Sequence, residues 1–258
     1  FFHPESWQRV GSATFDKDAI SILMGLVLLV TMLGVGVVVI PLWRETRRAG
    51  AAFGAADLET IAFFVTIGVG FMLFEAAQMQ RLSIFLGYPI YALTVALFAL
   101  LLSSSLGASY AGRLYERRGL DAVAPLLGAL LPALVIVGVA TRPVIHHWES
   151  ASTPVRVVVA ALLVAPPGFF MGMAFPLGLR LGERLTSMSL AWCWAVNGMA
   201  STCAAVYSIA LSITMGFATT YWTSFGCYVL AAGLAVRLVR RLRHPATEPS
   251  PSLRRRTV

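Results

Sequence analysis

The chain has 258 residues, of which 58% are hydrophobic and only 12% charged, with a formal net charge of +8. Soluble domains carry about 45–50% apolar and about 25% charged residues. The composition and a mean hydropathy of +0.77 therefore exclude a water-soluble enzyme fold, a disordered chain and a disulfide scaffold.

The first 18 residues read as an extramembrane N-terminal segment. They lack the basic region followed by an apolar run that marks a signal peptide, and a chain opening on Phe1 reads as the downstream part of something longer. A membrane-crossing helix needs about 20 apolar residues, and seven runs meet that length. The first covers 19–43 and ends at Pro41 and the cluster Arg44, Arg47 and Arg48; the second covers 58–86. The third, 88–108, is entered through the turn signal Gly87-Tyr88-Pro89. The fourth, 120–140, closes at Arg142-Pro143, and the fifth starts near Val155 and is interrupted by Pro166, Pro167 and Gly168. Runs at 190–213 and 218–239 complete the set. Long apolar runs without two-residue alternation make helices rather than barrel strands. The expected fold is all-α: a polytopic transmembrane helix bundle of about seven spans across 19–239, the fifth broken by Pro-Pro-Gly. Residues 240–258 form a basic tail, disordered in its Pro/Ser/Arg-rich part.

Nineteen arginines and one lysine, Lys17, supply the positive charge. In a membrane chain they report topology and contact with anionic headgroups, not nucleic acid. With seven spans, one side collects Arg44, Arg47, Arg48, Arg113, Arg117, Arg118, Arg180, Arg184 and seven tail arginines, fifteen in all. The other side holds Arg9, Lys17, Arg81, Arg142 and Arg156. The positive-inside rule then puts the C-terminus in the cytoplasm, as in a bacterial inner membrane protein.

Chemistry-bearing residues are few. Cys193, Cys203 and Cys227 lie in apolar runs without metal-ligand spacing and read as buried free thiols. No histidine sits inside a span, which leaves no intramembrane pair to hold a haem. His146 and His147 are weak metal candidates on a polar loop, and no cofactor is expected. Glu75 is the one acid deep in a span, about 21 Å along the helix from Ile61. Gln78 shares its face, and Arg81 is placed to snorkel toward the interface. Glu75, Gln78, Arg81 and Asn197 form the candidate intramembrane polar site, read either as a proton or cation site or as glue between helices. Pro166 and Pro167 remove two backbone donors beside Gly168, a break found in transporters and in plain kinks alike. Gly168–Gly172 and Gly178–Gly182 have the spacing that permits close helix approach.

Three stretches carry a resemblance. The first is Phe74-Glu75-Ala76-Ala77-Gln78-Met79-Gln80-Arg81, running on through Gly87-Tyr88-Pro89 to Ser103-Ser104-Ser105-Leu106-Gly107. The second is Gly168-Phe169-Phe170-Met171-Gly172-Met173-Ala174-Phe175-Pro176, and the third is Trp192-Cys193-Trp194-Ala195-Val196-Asn197-Gly198. Over residues 58–230 the chain resembles the C-terminal membrane region of the spermidine-synthase-like membrane proteins, the fused MFS/spermidine synthase family. Phe1-Phe2-His3 resembles the stretch by which that family leaves its soluble domain, and Tyr88 stands where the family has a histidine. The resemblance implies a membrane module without the nucleotide-type fold that binds the aminopropyl donor, hence no enzyme activity in this chain. Two functions follow: an anchor or accessory scaffold for a larger membrane complex, with other membrane subunits as partners, or a permease-like module for a small substrate, a cation among the options.

Overall fold

The computed structural model of the chain describes residues 13–41, 44, 54–186 and 189–244. All regular structure among them is helical: α1 Ala13–Gly34, α2 Ala55–Leu86, α3 Pro89–Arg118, α4 Val123–Trp148, α5 Thr153–Leu185 and α6 Leu190–Arg243. A π-helical stretch, Val35–Val39, prolongs α1, and a 3-10 turn, Gly119–Ala122, joins α3 to α4. Helix α1 starts within the segment expected to be extramembrane. Residues 1–12, Arg47, Arg48 and the tail beyond His244 lie outside the described residues.

Five stretches are long and apolar enough to cross a membrane: Ser21–Val38, Ala55–Leu86, Pro89–Trp148, Thr153–Leu185 and Leu190–Arg243. The fold is thus all-helical with the make-up of an integral membrane protein, and five candidate spans stand where the sequence suggested seven. The difference has a local origin. The third and fourth runs are joined by a helical turn, and the sixth and seventh by a single residue, Gly216.

Two of the five stretches, of 60 and 54 residues, would extend about 90 and 80 Å if straight, against a hydrocarbon core about 30 Å thick. Neither is straight. Gly119 ends α3 at φ 58°, and Gly216 interrupts α6 at φ 84°, ψ 162°, backbone positions that glycine takes without a Cβ penalty. Across Gly216 the Ser212 and Thr220 hydroxyls are 2.9 Å apart, whereas eight residues of straight helix span about 12 Å. The two limbs of α6 lie along α2 in opposite senses. In 190–215, Asn197 meets Phe64 and Ser201 meets Gly68. In 217–243, Ser224 bonds the Gly70 carbonyl and Arg241 pairs with Glu59.

Successive turns alternate between two ends of the bundle. At one end Asp57 is bonded by Thr186, Glu59 by Arg241 and Asp121 by Arg243. At the other, Arg156 reaches the Phe85 carbonyl at 3.1 Å, and α2, α4 and Gly216 share a cavity. The tight turn there follows its sequence signal: Gly87, at φ 78°, caps α2 through its N–H to Ser83, and Pro89 opens α3, where a missing donor costs nothing.

Helix α2 is the axis of the core, with Phe63, Phe64, Phe74, Ala77 and Leu82 wholly buried. Helices α3 and α5 cross through glycines. A Cβ at Gly107 would run into the Phe169 carbonyl, one at Gly172 into the Ser104 carbonyl, and one at Gly168 into the Ser103 hydroxyl. The expected break in α5 is not confirmed: the helix continues through Pro166, Pro167 and Gly168. The prolines withdraw donors from the Leu162 and Leu163 carbonyls, yet the helix continues because Gly168 and Gly172 let α3 close on that turn. A correction concerns α4, which runs through Pro143 to Trp148 instead of closing at Arg142. Helix α1 packs mainly on α6, and Ile22 and Met32 on it are exposed.

Candidate functional site

The candidate polar residues do not converge on one place. Asn197 lies on the first limb of α6, where its Nδ2 donates to the Phe64 carbonyl at 2.9 Å. It lines a cavity of about 270 Å³ with Ser104, Ser201, Trp194 and Tyr228. Ser201 and Asn197 both press on Gly68, where a Cβ would come within 2.9 and 2.8 Å of them. Gly198 faces open space.

Glu75, Gln78 and Arg81 share α2 but meet different surroundings. Glu75 is half-buried, and among the described residues it has no hydrogen bond or ion pair. It lines neither the Asn197 cavity nor the three others, of about 560, 490 and 340 Å³. Gln78 is 0% exposed, and neither amide atom has a partner. A buried polar group left unsatisfied costs about 1–3 kcal/mol, so Gln78 is a stressed point of the core.

The Arg81 guanidinium lies 4.7 Å from the centroid of the Tyr221 ring. The Tyr221 hydroxyl in turn donates to the Leu134 carbonyl at 2.6 Å. Arg81 Nη1 is buried without a hydrogen-bond partner. The reason is tertiary: the turn at Gly216 folds the second limb of α6 back so that Tyr221 lies under α2. The same turn closes a cavity of about 490 Å³ that Arg81 lines with Thr141, Arg142, His146, Glu149 and Gly216.

The histidine pair belongs to the last turn of α4, not to a loop as the sequence suggested. His146 Nδ1 is 3.2 Å from Glu149 Oε1, and His147 makes an edge contact with Trp148. No group of three or more His, Cys, Asp or Glu side chains suited to a metal ion occurs among the described residues. The three cysteines are free, Cys193 buried and the others partly so.

Sequence reasoning missed the grouping of Arg81 with Arg142 and Tyr221. The available signal was the assignment of Arg81 and Arg142 to the same side of the membrane; the missing element was Gly216, which lies in the gap between two hydrophobic runs. Fold and site together define an all-helical, membrane-type bundle with an arginine-lined cavity at one end and ion pairs at the other. Set against protein-family models, curated proteins and solved structures, the chain matches none of them.

Proposed function

We propose that the chain is a non-catalytic integral membrane module, akin to the membrane part of the spermidine-synthase-like proteins, that anchors or scaffolds a larger membrane complex. It crosses the membrane seven times, the reversals at Gly119 and Gly216 splitting the two longest stretches into two crossings each. The arginine-rich end, with the C-terminus, faces the cytoplasm of a bacterial cell, and the Gly216 end faces outward. The alternation of turns and the arginine asymmetry support this topology. Its partners are lipid, with anionic headgroups at the tail, and other membrane subunits.

The observation that carries the scaffold reading is the α3–α5 crossing. A transporter keeps broken helices beside a substrate path, but here the Pro-Pro-Gly segment is unbroken helix closed against α3 by glycine contacts. Glu75 lines none of the four cavities described above. The competing reading, a permease-like module for a small substrate such as a cation, rests on that same carboxylate having no partner among the described residues. Reconstitution into liposomes with a proton- or cation-sensitive dye separates the two. The scaffold reading expects no uptake and a Glu75→Gln variant of unchanged stability. Uptake by the unmodified chain that Glu75→Gln abolishes would overturn it.

A further inference from the structure

We infer that the cavity between α2, α4 and the Gly216 turn is a binding site for a phosphate-type anion, clasped by Arg81 and Arg142. Two guanidinium groups line one cavity of about 490 Å³, and among the described residues neither has a carboxylate partner. The Tyr221 ring lies against Arg81, and Arg142, a like charge, lines the same cavity. The ring stabilises the guanidinium through its face but does not neutralise it. The one carboxylate lining the cavity, Glu149, is engaged by His146 at 3.2 Å. A half-buried arginine with a buried, unpaired nitrogen, lining one cavity with a second arginine, calls for an anion between them.

The backbone adds to this. The second limb of α6 starts at the same cavity, which Gly216, Phe217 and Ala218 line. The first N–H groups of a helix lack partners within it and favour negative charge. Arginine forks fit the oxygens of a phosphate two at a time. The rim of the cavity is apolar, with Ile84 and Met215 exposed beside the arginines. Charge inside and apolar surface at the rim match the headgroup phosphate of a membrane lipid whose chains lie along α2 and α6. Free inorganic phosphate carries the same chemistry and is the other source.

The test uses the delipidated full chain in detergent, titrated with phosphatidylglycerol, with diacylglycerol of the same chains, and with inorganic phosphate; binding is read by native mass spectrometry and by the shift in unfolding temperature. Phosphatidylglycerol should bind and stabilise, and diacylglycerol should not. Arg142→Gln, at an exposed position that folding tolerates, should weaken the tightest binding step at least tenfold, as should Arg81→Gln if that variant folds. Arg180→Gln, exposed at the opposite end, should leave it unchanged. Displacement of the lipid by millimolar inorganic phosphate assigns the site to the free anion, and lack of displacement assigns it to the lipid headgroup. Equal binding of diacylglycerol, or phosphatidylglycerol binding untouched by Arg142→Gln, would overturn the site.

Discussion

At the end of the bundle where α2 begins, arginine meets acid. Arg241 forks onto Glu59 with bonds of 2.7 and 3.1 Å, Arg243 bonds Asp121, and Asp57 takes the Thr186 hydroxyl and the Gly54 N–H. At the end where α2 finishes, arginine meets carbonyl, ring and cavity: Arg156 donates to Phe85, Arg81 lies over Tyr221, and Arg142 lines open space. The two ends carry the same residue type with opposite electrostatic bookkeeping. Arg241 and Arg243 fasten helix termini to local carboxylates at the first end, where Arg184 lies over the Tyr115 ring. Among the described residues the second end offers Glu149, which sits against His146, and neither Arg81 nor Arg142 has a carboxylate partner.

Both ends hang on one packed middle, so the largest effect is expected from breaking that middle. Gly172→Leu drives a side chain into the α3 backbone at Ser104, where no flexible atom can yield. Overpacking of this kind costs about 3 kcal/mol, and thermal unfolding in detergent should show a loss of that order. An unchanged unfolding temperature would mean that α3 and α5 do not cross as described. Next in size is Gln78→Met, which removes the unsatisfied amide at nearly constant volume. It should be neutral or stabilise by about 1 kcal/mol; a clear loss of stability would reveal a partner for Gln78. The smallest effect belongs to the paired end. Glu59→Gln should lower the unfolding temperature slightly, by an amount that shrinks as salt rises from about 0.1 to 1 M. A salt-independent loss would show that Glu59 acts through packing instead of through Arg241.

How much of this was legible in the sequence varies by element. The turn Gly87-Tyr88-Pro89 was readable because its three residues each dictate a backbone conformation. Glycine spacing at 168 and 172 correctly marked a close approach without saying which helix approaches. Helix α5 continues through Pro166-Pro167, since a proline's local cost yields a break only where packing does not hold the turn together. Arg142-Pro143 did not close α4, which runs on through it. The candidate site was legible as a set of unusual residues but not as a grouping: Asn197 went to one cavity, Arg81 to another, and Glu75 to neither.

Composition and hydropathy determined, by themselves, that the chain is helical and of membrane type, because apolar runs of this length have no other way to satisfy their backbone. They also determined which residues are rare enough to matter. Only the tertiary structure decided that α5 continues through its prolines, that Gly216 turns α6 back along α2, and that Arg81 lies over Tyr221 and lines one cavity with Arg142. Residues 81, 142 and 221 are far apart along the chain, and no periodicity encodes their meeting. The packing of α2 against both limbs of α6 brings them together.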